Sequence, residues 1–313
     1  MSSKIEQLDM YESFFGLNEA PFTLTPNTHF FLKSETHQHG LEMLLWALNN
    51  KEGFIKVSGE VGTGKTLLCR KLLNSLEDPF VTVYLPNPHF SPATLYCLIS
   101  DELEAALESA SPANSEIIIE EPKQLGSVAT DQHVLALGNI QKALLALAAL
   151  DKQVVLVIDE AQSMPEDTIE ALRLLTNLET ESAKLMQVVL FGQPELDETL
   201  NSKSLRQLQQ RITFQHEIRP LDREGVEQYI SHRMILAGYS GGRLFEAKAI
   251  SLLVSASKGI PRLVNILCHK ALMGAFGEGV NLVTAKHMKA AIKDTESAHK
   301  PWWRSMPLPG ALS

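Results

Sequence analysis

One octapeptide constrains this chain more than any other stretch. Gly59-Glu60-Val61-Gly62-Thr63-Gly64-Lys65-Thr66 fits the pattern G-x-x-x-x-G-K-[ST] in full. An apolar, β-branched run at 54–58 precedes it, and a helical pattern at 67–76 follows. The glycines let the backbone curl so that several N–H groups point inward at phosphate oxygens. The helix that follows adds its positive amino end. Lys65 supplies a point charge for β- and γ-phosphates, and the Thr66 hydroxyl suits Mg²⁺. The nucleotide-contacting stretch runs Gly59, Glu60, Val61, Gly62, Thr63, Gly64, Lys65, Thr66 and Leu67. A glycine-rich turn without a ligand would not need the strand–loop–helix order around it.

A second run ends in acids: Val154-Val155-Leu156-Val157-Ile158-Asp159-Glu160. Five consecutive apolar residues mark a central parallel strand buried on both faces. The acids then fall at the carboxyl edge of the sheet, beside the phosphate loop. Asp159 is the second candidate ligand of Mg²⁺, acting through water. Glu160 would orient the attacking water and take its proton. The alternative is an acidic pair capping the next helix. Together the two motifs predict Mg²⁺-dependent ATP hydrolysis.

Three further elements carry candidate chemistry. Leu190-Phe191-Gly192-Gln193-Pro194 ends another apolar strand with an amide. Gln193 either senses the γ-phosphate, helps place the water, or is a turn residue before Pro194. Leu205-Arg206-Gln207-Leu208-Gln209-Gln210-Arg211 carries two arginines ahead of the strand 212–218. Arg211, or else Arg206, is a candidate finger for the ATP of a neighbouring subunit; both could equally be surface arginines. Gly259-Ile260-Pro261-Arg262 starts a helix, with Pro261 suited to its first turn. Arg262 would project toward the γ-phosphate, since a cation is not otherwise favoured at a helix start.

Strand patterns at 54–58, 80–85, 154–158, 185–191 and 212–218 alternate with helix patterns at 41–49, 67–76, 92–106, 133–150 and 165–178. That order indicates an α/β sheet with helices on both faces. After Leu221 the strand pattern stops, and 222–236, 246–255, 261–276 and 284–293 all read as helices. The expected organisation is an N-terminal, loop-rich segment (1–40) over the nucleotide site, a core (41–220), a helical lid (221–295) and a tail (296–313) holding Trp302 and Trp303. Residues 109–132, polar and acidic, read as a surface insertion, with 117–119 a short strand or docking point.

Composition excludes little but shifts the weights. Net charge is −9 over 313 residues, which disfavours a main task of holding nucleic acid. Cys69, Cys97 and Cys268 lie far apart, which suggests neither a disulfide framework nor a zinc site. His37 and His39 form an H-x-H, a weak metal signal alone. The polar, acidic start is no signal peptide, and no apolar stretch approaches the roughly 18–20 residues of a membrane span. The expectation is a cytoplasmic protein, peripheral at the inner membrane through partners.

With these elements in place the sequence resembles the AAA+ ATPases, over about residues 9–295. The opening Met10-Tyr11-Glu12-Ser13-Phe14-Phe15-Gly16-Leu17, with Pro21-Phe22 and Thr25-Pro26, resembles the ExeA/GspA family of secretion ATPases. Leu208-Gln209-Gln210-Arg211-Ile212 and Phe191-Gly192-Gln193-Pro194-Glu195-Leu196 extend the likeness. It implies a P-loop NTPase core of AAA+ type, a small all-helical lid and a homo-oligomer with ATP at subunit interfaces. It also implies a role in building a cell-envelope machine, such as an MSHA-like type IV pilus or a secretion system. In such proteins the segment before the phosphate loop lies over adenine, so Phe22 and His37 are candidates to line that pocket, or core or surface residues. ExeA-type members carry a membrane span and a peptidoglycan-binding domain after the ATPase; this sequence reaches Ser313 with neither, so envelope contact is expected through partners. The competing readings are a DNA-binding ATPase of transposition or replication, which lacks support from charge, and a nucleotide-gated scaffold, which Glu160 argues against.

Overall fold

A computed structural model describes residues 11–24, 28–32, 34–110, 129–178 and 184–299. In chain order the elements are α1 (Glu12–Phe15), α2 (Glu35–Asn49), β1 (Phe54–Gly59), α3 (Lys65–Leu73), β2 (Phe80–Leu85), α4 (Pro92–Ala110), α5 (Ala129–Ala149), β3 (Gln153–Ile158), α6 (Glu166–Leu175), β4 (Met186–Gly192), α7 (Pro194–Leu200), α8 (Arg206–Gln209), β5 (Ile212–Ile218), α9 (Arg223–Leu236), α10 (Ala247–Ser257), α11 (Pro261–Gly277) and α12 (Ala285–Lys293). Short 3-10 turns lie at Thr28–Phe30 and Ala161–Ser163.

The chain divides into two compact units. The first to consider holds 35–59 and 68–218, and contains the sheet. Its five strands run in the order β2-β3-β4-β1-β5, and every pairing is parallel. Side chains along a strand alternate between faces, and both faces here are covered. Val154, Leu156 and Ile158 of β3 join one core with Leu95, Ile99, Leu103, Ile140 and Leu144 of α4 and α5. Val155 and Val157 join a different core, with Leu44 and Leu48 of α2 and Leu68 and Leu72 of α3. That double burial is why β3, and β4 apart from its buried Gln187, read as apolar runs. β5 is an edge strand instead, and its exposed Thr213, Gln215 and Glu217 alternate with partly buried residues.

β3 is an interior strand, paired on both sides, with β4 next to it in the middle of the five. Several sequence expectations are corrected. Residues 35–40 are helical, so α2 starts six residues before the expected 41. α6 ends at Leu175, three residues before the expected 178, with Pro165 as its N-cap. The segment between β4 and β5 holds two short helices, α7 and α8, that periodicity over so few residues did not signal. The ends of the supposed insertion are helix, since α4 runs to Ala110 and α5 begins at Ala129. The rest of that insertion, including 117–119, lies outside the described residues, as do Met10, Thr25, Pro26, Trp302 and Trp303.

The second unit comprises the described residues of 1–34, 60–67 and 219–313. Its core joins α9–α12 to the aromatic start of the chain: Tyr11, Phe15, Leu17, Phe22 and Phe30 pack with Val226, Phe245, Leu253, Val264 and Leu272. Buried Arg233 fastens the two together. Its guanidinium lies 4.6 Å from the Phe30 ring centroid, Nε donates to the Pro21 carbonyl and an η-nitrogen donates to the Tyr229 hydroxyl at 2.9 Å. Phe22 is a core residue, edge-on to Phe245. The four helices are not quite alone, since Phe245 and Val283 form an isolated parallel bridge. Among the described residues no helix is long and apolar enough to cross a membrane.

Candidate functional site

The loop after β1 is closed on itself. Lys65 is only 5% exposed, and its Nζ donates to the Glu60 carbonyl at 3.0 Å. The same oxygen accepts from the Thr63 hydroxyl at 2.8 Å and the Thr63 N–H at 3.3 Å. Gly62 and Gly64 hold φ of +82° and +102°, conformations that favour glycine. Lys65, Thr66 and Leu67 form the first turn of α3, where backbone N–H groups lack helical acceptors and suit an anion. Glycines at positive φ, a buried ammonium and a helix start fit a phosphate chain. The Thr66 hydroxyl and the Asp159 carboxylate are hard oxygen donors of the kind Mg²⁺ takes. Among the described residues no group of three or more His, Cys, Asp and Glu could hold a metal, so the His37–His39 pair builds no such cluster.

Arg262 lies against this loop. Its N–H donates to the Gly62 carbonyl at 3.2 Å, and a methyl built on Gly62 would come within 2.6 Å of the Arg262 Cβ. Pro261 is the first residue of α11, as its missing N–H allows. Gly259, at φ +74°, makes the approach possible: a Cβ there would sit 1.8 Å from the Leu221 carbonyl oxygen, and the Leu221 N–H donates to the Gly259 carbonyl at 2.9 Å.

The acids follow β3 at the carboxyl edge of the sheet. Asp159 is 2% exposed; its N–H donates to the Leu85 carbonyl at 2.9 Å, and its Oδ1 accepts from the Glu160 N–H at 2.9 Å. Burial first, then the Asp159 charge, pushes the Cys69 thiol well above its usual value. Burial, then the charges of Cys69 and Asp159, raises the Tyr84 phenol to about 12. Both neighbours of Asp159 therefore stay neutral near pH 7. Glu160 sits at φ +53°, a left-handed conformation that costs a non-glycine residue roughly 1–3 kcal/mol. The turn carries its carboxylate to β4, where Oε2 accepts from the Gln193 side-chain amide at 3.1 Å and from the Gln162 amide at 2.6 Å. Gln193 is thus beside Glu160. Gln162 escaped the sequence reading, because its second partner, the Gln193 N–H, comes from the end of the neighbouring strand. The one available signal was an amide two residues after the acid pair in Asp159-Glu160-Ala161-Gln162.

Arg211 and Arg206 are exposed. β5 pairs with β1 so that Ile212 faces Phe54 and Ile218 faces Gly59. Arg211 therefore lies at the amino edge, about 20 Å along the strand from Gly59 at some 3.3 Å per residue. Its guanidinium is 3.5 Å from the Thr176 hydroxyl. His37 is buried in α2.

Residues 48–200 match the family model described as AAA domain. Over 270 residues the chain is 39% identical to general secretion pathway protein A of Aeromonas hydrophila, covering 86% of this chain and 46% of that protein. The chain thus spans about half the length of this curated relative. Among solved structures, the ORC2 protein of Aeropyrum pernix, determined as ADPNP–ADP complexes, superposes with a TM-score of 0.56 at 15% identity, covering 90% of this chain and 74% of that one. Cdc6p of Pyrobaculum aerophilum gives 0.54 at 17%, covering 90% and 70%. These distant likenesses speak to fold alone. The fold is that of a P-loop NTPase, residues 48–200 are similar to the AAA domain, and the chain is similar over 270 residues to general secretion pathway protein A.

Proposed function

We propose that this chain hydrolyses ATP with Mg²⁺ and couples the reaction to assembly of a cell-envelope machine, either an MSHA-type type IV pilus, as the ATPase MshM does, or a related secretion system. The observation that carries the ATPase half is Glu160, a carboxylate at the carboxyl edge of the sheet held by two amides one residue beyond buried Asp159. A scaffold without turnover would not need it. The relationship to general secretion pathway protein A supports the secretion half.

The roles follow from the chemistry of each group. Backbone N–H groups from Gly59 to Leu67 bind the phosphates. Lys65 exchanges its contact with the Glu60 carbonyl for phosphate oxygens. Thr66, and Asp159 through water, would hold Mg²⁺, which would supply positive charge to the phosphates. Glu160 orients the attacking water and accepts its proton. Gln193 and Arg262 mark the γ-phosphate. Arg211 serves the ATP of the next subunit of a homo-oligomer, since 20 Å of strand separates it from the edge where its own loop begins. Envelope contact runs through partners at the cytoplasmic face of the inner membrane.

The test uses two variants. Lys65→Ala should abolish ATP binding, whereas Glu160→Gln should bind ATP and hydrolyse it ~10²-fold more slowly or worse. Normal affinity in a folded Lys65→Ala protein, or full turnover by Glu160→Gln, would remove the assignment.

A further inference from the structure

We propose that Gln162 is a positioning residue for Glu160, holding the carboxylate so that one oxygen is fixed and the other faces the water. This rests on the ATPase reading above. The Gln162 side chain spans two partners. Its Oε1 accepts from the backbone N–H of Gln193 at 3.0 Å, and its Nε2 donates to Glu160 Oε2 at 2.6 Å. A backbone N–H can only donate, so it fixes which end of the amide is oxygen and leaves the NH₂ for Glu160. Gln193 Nε2 donates to the same Oε2 at 3.1 Å. Both amides thus converge on one carboxylate oxygen.

This geometry does two things at once. A glutamate side chain has three rotatable bonds, and two donors on Oε2 select one orientation of Oε1. The bond to the Gln193 N–H also ties the end of β4, where α7 begins with Gln193 as N-cap, to the turn after β3. Base and γ-phosphate amide are therefore registered by the same side chain. The turn itself does not depend on it. The Glu160 carbonyl accepts from the Ser163 N–H and the Ser163 hydroxyl, each at 2.9 Å, and the Met164 N–H donates to Ala161. Removing the Gln162 amide should leave that backbone standing and free the carboxylate.

The experiment is a double-mutant cycle. Wild type, Gln162→Met, Glu160→Gln and the double variant are compared for kcat, KM and affinity for a fluorescent ATP analogue. Gln162→Met keeps the chain length and loses both hydrogen bonds. Its kcat should fall about 10-fold, part of the ~10²-fold that a misplacement of about 1 Å can cost, with affinity within twofold of wild type. In the Glu160→Gln background the same change should have less than a twofold effect, because Gln162 acts through that carboxylate. Gln162→Glu guards against a Met variant that fails to fold. It has the native shape and still accepts from the Gln193 N–H, yet sets a like charge against Glu160, so its kcat should fall at least as far. An unchanged kcat in Gln162→Met, an equal loss in the Glu160→Gln background, or a loss seen in affinity instead of kcat overturns the proposal while leaving the ATPase reading intact. A wild type without turnover, or a fully active Glu160→Gln, defeats the ATPase reading and this proposal with it.

Discussion

Gly62→Ala is the substitution that asks most of the phosphate loop. Two costs arise from one methyl. At φ +82° an L side chain is pressed toward its own carbonyl, a strain of ~1–2 kcal/mol. The methyl also meets the Arg262 Cβ at 2.6 Å and the Ile260 Cγ2 at 3.2 Å, against a comfortable ~3.5–4.0 Å. The Arg262 Cβ is anchored to a helix start and cannot swing aside, so this overlap adds ~1–3 kcal/mol. The empty loop can relax by flattening, whereas phosphate binding demands its native curl, so the cost should appear in binding. A total of at least ~2 kcal/mol predicts ATP affinity weaker by about 30-fold or more. Titration with a fluorescent ATP analogue measures it, with thermal unfolding confirming that the variant is folded. A second arm separates the two costs. In an Arg262→Gly background the Cβ clash is gone and the strain remains, so adding Gly62→Ala should cost only about 5- to 30-fold. A folded Gly62→Ala protein within threefold of wild-type affinity would refute the reasoning.

Two further outcomes are expected. Arg211→Ala should bind ATP normally and hydrolyse it at least ~10²-fold more slowly if Arg211 serves a neighbouring subunit's ATP; mixed with Lys65→Ala, about a quarter of head-to-tail interfaces should regain both a working pocket and a finger, restoring part of the activity. Co-assembly without recovery would shift the role to Arg206. The imidazole of His269, which meets the Tyr11 hydroxyl at 2.9 Å, is held below its usual value by burial, against the opposing charge of Glu12. The unfolded chain then takes up the proton first, so stability should fall as pH drops below ~6.5. Urea midpoints across pH 5.5–7.5 should show a smaller acid-side fall in His269→Gln, and equal falls would remove His269 as a cause.

How much of this was legible in the sequence depended on how local the signal was. The loop from Gly59 to Thr66, the acid pair after β3 and the alternation of apolar runs with helical patterns are written in contiguous residues. They determine that the chain forms a parallel α/β sheet in which a glycine-rich loop follows β1 and an acid pair follows β3, because period and glycine placement act over a few residues. The sequence also marked Gly259-Ile260-Pro261-Arg262 as a helix start. It could not show that Gly259 must pass against the Leu221 carbonyl, or that Arg262 rests on Gly62 some 200 residues away in sequence. Strand order is equally invisible in one dimension. β3 and β4 are both buried on both faces, and only the pairing shows that β4 is the middle strand of the five. Gln162 looked like any polar turn residue until β4 brought the Gln193 N–H within 3.0 Å of it. Arg211, read as one residue before a strand, acquired a direction only from the β1–β5 register, which sets it at the opposite edge from Gly59. Local propensity and motif chemistry fix what each segment is. Which segments meet is decided by burial of both sheet faces at once, a property of the whole fold that no single stretch contains.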